Sequence, residues 1–491
     1  MKILLKFSAF IFMALCIFLS CKKDATCENC GGNSTSPVAN AGPDQTITLP
    51  ANSVTLDGNG SADPVNKITS YAWTKIGGPS TFIIANPNAV QTQVTSLVQG
   101  VYLFELKVTD AGGLVSKDTV QVTVNAAVAS YTCGDTTRPR ISATLTVVGT
   151  LSEPRSLICV AATGNKILFN GGLLAPALCE GSGKVDIYDI AANTWSVSER
   201  PQGPVFPGSG DFGMAVAVAG SKIFFAGGDN LLGCTDYTAS TLLTFNANTK
   251  TWDSSATPMY GLDITAASVG NKILFAGGSG SFNSPSRATK VDIYNLTANS
   301  WSSASLSEPR IYGHAAISVN NKVYIIGGAG ANRFSSTIDI YDNATNAWST
   351  ANMQKGKAGF GAIAVNDKLY LAGGQKQPSD YTSATCEVEI IDISTGASVI
   401  EYLSRPAKWN IIAGQNIVLK DNKIIFLRFD GGADADKFDI YDINTKSWSL
   451  GVLPQAIPKD ASVISVNNTI YIAGGDLGNG AMSDQVWKLE F

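Results

Sequence analysis

From about residue 159 to the C-terminus, short stretches of small side chains, MAVAVAG, ITAASVG, HAAISVN and GAIAVN, lead through a two-residue corner into larger apolar runs such as KILFAGG. Aligned on their diglycines, the copies run Asn165-Lys166 to Gly171-Gly172, Ser221-Lys222 to Gly227-Gly228, Asn271-Lys272 to Gly277-Gly278, Asn321-Lys322 to Gly327-Gly328, Asp367-Lys368 to Gly373-Gly374 and Asn468-Thr469 to Gly474-Gly475. A weaker copy begins at Asn422-Lys423 and carries Arg428-Phe429 where the diglycine belongs. After most copies an aromatic strand is followed by a tryptophan: Trp195, Trp252, Trp301, Trp348 and Trp448. Each copy reads as successive β-hairpins. The small-residue strand suits a crowded axis, the corner is a tight turn tolerant of positive φ, and Gly-Gly lets neighbouring backbone approach and turn. The Tyr and Trp of the later strands are expected to pack between neighbouring copies as core.

The period of about 50 residues resembles that of kelch repeats, and seven copies imply an all-β, seven-bladed propeller. Six blades is the alternative if the copy at 413–448 is an insertion. The last copy ends at VWKLEF without an outer strand, while ATLTVVGTLSEPR, residues 143–155, matches WSSASLSEPR, residues 301–310. The N-terminal strand 143–150 is therefore expected to complete the last blade and cover its open edge.

Before the repeats, Pro37 to about Asn125 alternates short β-branched runs with Gly, Asn, Asp and Pro turns, the pattern of a β-sandwich with Trp73 in its core. PVANAGPDQTITLP, VTLDGNGSADP, SYAWTK and GVYLFELKVTDAGG resemble the polycystic kidney disease (PKD) domain along its whole length, an Ig-like fold, which implies a spacer or presenting module. Asp57 and Asp63 read as turn residues and not calcium ligands. At the N-terminus, Lys2 and Lys6 precede an apolar run too short for a lasting span. Phe18-Leu19-Ser20-Cys21 resembles the lipobox of bacterial lipoproteins, which makes Cys21 the lipidated N-terminus. The expected organisation is a signal peptide at 1–20, a flexible tether at 21–36, the PKD domain at 37–126, a linker at 127–140 and the kelch propeller at 141–491. The expected location is the bacterial outer membrane, lipid-anchored and facing the cell surface or the periplasm.

Composition narrows the chemistry. The chain has 491 residues, Lys+Arg 35 against Asp+Glu 39, and one histidine. Such a mildly acidic chain, 15% charged, offers no basic stripe for nucleic acid. Copper radical oxidases, a kelch-fold class, need two histidine ligands, and His314 alone cannot supply them. The Ser-x-Asp-x-Gly-x-Thr-Trp boxes of sialidases are missing, as are Gly-x-Ser-x-Gly, P-loop and H-E-x-x-H motifs. No metal or cofactor is expected. Asp430, Asp434 and Asp436 read as a solvated turn, and Cys27 with Cys30 as a local disulfide. Cys179 and Cys234, in equivalent loops of consecutive blades, are the candidate disulfide of the propeller rim.

The loops after Gly-Gly and those between blades share one face of the disc, where propellers bind. Candidate ligand-binding residues there are Arg155, Tyr260, Arg310, Tyr312, Arg333, Phe334, Arg405 and Trp409, a set of aromatic platforms and hydrogen-bonding cations suited to a glycan or a protein. The expected protein is a monomeric, non-catalytic binder. The alternative, by resemblance to kelch-type sialic-acid mutarotases, needs an arginine for the substrate carboxylate at the channel mouth, for which Arg155, Arg310 and Arg405 are the candidates.

Overall fold

The computed structural model describes residues 35–491 apart from 50, 66, 126–131, 136, 176–179, 202–213, 228–240, 259–260, 262, 280–286, 377–383, 408–415, 430, 433 and 479. The signal peptide, Cys21, Cys27, Cys30 and most of the tether lie outside the described residues. The chain divides into two compact units, Met1–Val128 and Ala129–Phe491.

The first unit is a sandwich. A four-stranded sheet runs Gln45–Thr48, Val115–Asn125, Gly100–Asp110, Ile68–Gly77, and a three-stranded sheet runs Val54–Asp57, Gln91–Thr95, Ile83–Ile84. Alternation along Gly100–Asp110 buries Tyr102, Phe104, Leu106 and Val108 against Leu56, Val94 and Trp73. The Trp73 indole donates to the Ala89 carbonyl at 3.1 Å, so the buried ring leaves no unmatched N–H. Asp57 and Asp63 each accept the backbone N–H two residues on, from Asn59 at 2.9 Å and Val65 at 2.8 Å, as turn-forming aspartates do.

The second unit is a ring of antiparallel sheets. Among the described residues seven occur, with inner strands Cys159–Thr163, Ala215–Ala219, Thr265–Val269, Ala315–Val319, Gly361–Val365, Ile417–Lys420 and Ser462–Val466, here blades 1 to 7. Each inner strand touches its neighbours, the first also the last, so the ring closes. The copy at 413–448 supplies the four strands of blade 6. In blade 7 the outer strand is Thr144–Thr150, paired antiparallel to Gln485–Glu490 with Thr146 opposite Lys488.

Local geometry follows the repeat. The corners at Asn320-Asn321, Asn366-Asp367, Asp421-Asn422 and Asn467-Asn468 have positive φ at both residues, as a two-residue hairpin turn requires. Both glycines of each described pair also have positive φ, and the second donates to the lead-in loop of the next blade: Gly278 to Arg310 O, Gly328 to Lys357 O, Gly475 to Arg155 O, all at 2.9 Å. In the outer hairpins Tyr188 faces Trp195, Tyr294 faces Trp301 and Tyr341 faces Trp348, with ring centroids 4.7 to 5.2 Å apart. Tyr188 also meets Tyr471 of blade 7, so these rings join blades.

The expected linker needs correction. From residue 132 the chain is bound to the ring. Cys133 is disulfide-bonded to Cys386 of blade 5, the Gly134 N–H donates to Ser404 O at 3.0 Å, and Arg140–Ser142 adds a parallel fifth strand to blade 6. Cys179 and Cys234 lie outside the described residues. The Cys133–Cys386 bridge spans 253 residues, a separation that no loop-by-loop comparison of blades exposes.

Candidate functional site

The ring encloses a cavity of about 430 Å³, lined by the first residues of the inner strands and the loop ends that feed them. Each lead-in loop turns into its strand through a residue at positive φ: Leu157 at 52°, Asp263 at 54°, Gly313 at 67°, Gly359 at 59° and Asp460 at 54°. Their backbones brace the rim, Leu157 N–H donating to Asp460 O at 3.0 Å and Gly359 N–H to Gly313 O at 2.9 Å. Two residues on, each strand begins. The residues at that level are Cys159, Ala215, Thr265, Ala315, Gly361, Asn416 and Ser462, taking blades 1 to 7 in order.

The polar groups at this level differ in what they do. Ser462 Oγ donates to Ile158 O at 2.7 Å, and Cys159 Sγ approaches Met214 O at 3.5 Å, so both serve the ring itself. Burial pushes the Cys159 thiol up to about 12, which removes it as a nucleophile at neutral pH. Thr265 Oγ1 and Asn416 Oδ1 are buried without a hydrogen-bond partner. Nearby, His314 Nε2 faces the Ala276 carbonyl at 2.9 Å, so that nitrogen carries the proton. Burial lowers its pKa to about 4, and at pH 7 the imidazole is neutral. Asp263 stands half-buried at the lip.

Several expected site residues have other work. Arg155 and Arg310 are fully buried inside their blades: Arg155 pairs with Asp186 at 2.5 Å and donates to Phe169 O, while Arg310 pairs with Asp339 at 2.5 Å and donates to Ser335 Oγ at 3.0 Å. Their assignment as ligand contacts is corrected, because a guanidinium out of solvent with its donors matched has nothing to offer a ligand. Phe334 is likewise buried, against Ala329 and Ala358, with Tyr312 half-buried beside it. Arg405 binds Asp434 at 2.7 Å and the Lys437 carbonyl at 3.0 Å. Arg333 is exposed and pairs with Glu308 at 2.7 Å. Tyr260 and Trp409 lie outside the described residues. The cavity residues Thr265, Asn416 and Asp263 were not among the expected set. Their signal is a departure from the repeat, polar side chains where other blades carry Ala or Gly.

Residues 41–124 match a PKD-domain family of the KIAA0319-like type, and residues 263–475 match the KLHDC2/KLHL20/DRC7 Kelch-repeats domain. The chain is a PKD domain followed by a kelch-repeat domain. The PKD domain is 41% identical over 92 residues to the dyslexia-associated protein KIAA0319-like protein of Mus musculus, covering 19% of this chain and 9% of that one. Kelch-like protein 25 of Xenopus tropicalis is 34% identical over 125 residues, 24% of this chain and 18% of that one. The chain thus spans less than a fifth of either relative. Among solved structures, that of YjhT aligns with a TM-score of 0.41 at 18% identity, covering 60% of this chain and 99% of that one.

Proposed function

We propose that this chain is a monomeric, non-catalytic binding protein of the bacterial cell envelope, held to the outer membrane by a lipid on Cys21, with the PKD domain as spacer and the kelch propeller holding a carbohydrate. The observation that carries the reading is the cavity at the propeller axis. At about 430 Å³ it falls in the range of small-molecule sites, roughly 300–1,000 Å³, and it contains two buried polar atoms that the fold leaves unsatisfied. An unmatched buried acceptor costs about 1–3 kcal/mol, which an incoming donor recovers. The mutarotase alternative loses support, since Arg155 and Arg310 lie inside blades and Arg405 is held by Asp434.

The test is a glycan-array screen of the full chain, with NMR measurement of sugar anomer exchange in parallel. Retention of a glycan without faster exchange is expected. Catalysed exchange would overturn the non-catalytic reading. For the anchor, Cys21→Ala is expected to abolish partition into detergent, and an unmodified N-terminus by mass spectrometry would refute it.

A further inference from the structure

The strand starts lie at one level of the ring, and the sequence of that level is Cys, Ala, Thr, Ala, Gly, Asn, Ser. Blade 3 and blade 6 are separated by two blades on one side and three on the other, so Thr265 and Asn416 stand on opposite walls. Small residues, Ala215, Ala315 and Gly361, keep the space between them open. Ser462 and Cys159 face backbone carbonyls of the ring. Two polar atoms therefore remain for an occupant, Thr265 Oγ1 and Asn416 Oδ1. A hydroxyl both donates and accepts, so it satisfies a threonine hydroxyl and either end of a carboxamide. A ligand with hydroxyls at its two edges meets both walls.

Charge narrows the class. Among the described lining residues there is no Lys or Arg, and the imidazole of His314 is neutral at pH 7. The nearest blade arginines, Arg310 and Arg287, are engaged by Asp339 and Asp292. A carboxylate entering this space loses hydration and finds no cation in return, a cost that neutral hydroxyls do not carry.

Resting on the carbohydrate reading, we infer that the axial cavity takes the neutral end of a saccharide, its hydroxyls bonding to Asn416 and Thr265 on opposite walls, and discriminates against acidic sugars. Saturation-transfer NMR on the full chain tests this with methyl glycosides of glucose, galactose, mannose and N-acetylglucosamine against glucuronic and N-acetylneuraminic acids. A neutral glycoside is expected to bind at least tenfold more tightly than either acid. Thr265→Val, equal in shape, and Asn416→Leu are each expected to weaken it tenfold or more. Ala315→Leu, which fills the same level from a blade with no polar group there, is expected to block it with the melting temperature unchanged. Tighter binding of an acidic sugar, or neutral binding indifferent to all three substitutions, overturns the inference and leaves the carbohydrate reading standing. Absence of binding by every sugar overturns both.

Discussion

Arg138 is expected to hold blade 6 together from outside it. In blades 1 and 4 a lead-in arginine neutralises the buried carboxylate of the third strand, Arg155 on Asp186 and Arg310 on Asp339, and blade 5 uses Lys357 near Glu389. By the diglycine hydrogen bond, Gly374 to Ala407 O at 2.8 Å, the matching position in blade 6 is Ala407. Its carboxylate, Asp439, nevertheless has a cation. Arg138, 301 residues away, reaches it at 2.8 Å, donates to Tyr402 O and lies 4.7 Å over the Trp448 ring. Burial pushes the Asp439 carboxyl up and Arg138 draws it back. Both side chains are almost wholly buried, so Arg138→Ala leaves an uncompensated charge and is expected to cost about 3–5 kcal/mol. Urea unfolding followed by tryptophan fluorescence measures this. The diagnostic arm is relocation: Arg138→Ala with Ala407→Arg returns a guanidinium by the route used in blades 1 and 4, and is expected to recover more than about 1 kcal/mol. Arg138→Met with Asp439→Leu, which removes both charges, is expected to cost less than Arg138→Ala alone. A single-variant loss below about 1 kcal/mol, or no recovery in either double variant, refutes the reasoning.

The neutral, buried His314 makes stability pH-dependent: with its folded pKa near 4 below the ordinary 6.5, its contribution is complete above pH 6.5 and is lost as pH falls through 4. The wild-type advantage over His314→Gln in urea is expected to shrink by about 2.5 kcal/mol between pH 7 and pH 4.5, and a pH-independent difference would show that the imidazole titrates normally. The Cys133–Cys386 bridge closes 253 residues, for which chain entropy gives about 5 kcal/mol. Cys386→Ser is accordingly expected to lower the urea midpoint of the propeller, and equal midpoints with and without reductant would deny the bridge a stabilising role.

What the sequence made legible is what recurs. The diglycines, the Asn-Asn and Asn-Asp corners and the Tyr–Trp pairs impose the same local conformation in each copy, so comparing copies reveals them. The closing strand was legible for the same reason: Ser152 in TLSEPR and Ser307 in SLSEPR both donate their N–H to a third-strand aspartate, Asp186 and Asp339. Arg138 and the Cys133–Cys386 bridge were not legible, because each joins a unique segment to a distant blade and leaves no period. Arg155 and Arg310 misled through their charge. Their recurrence, together with Lys357 at the same position, pointed to the common interior of a blade and away from a ligand.

That contrast bears on where function resides in such a ring. A fold built from repeats presents any repeated group many times around its axis, whereas a sugar lacks that symmetry. A ligand of low symmetry can be oriented only by side chains that break the pattern. Along the cavity level the breaks are Cys159, Thr265, Asn416 and Ser462. Of these, Ser462 and Cys159 are engaged by neighbouring strands of the ring. Thr265 and Asn416 break the pattern without serving the ring, and retaining two unsatisfied buried atoms lowers stability unless something recovers the cost. Binding at the axis supplies that recovery, which places the test of function on these two residues before any of the arginines.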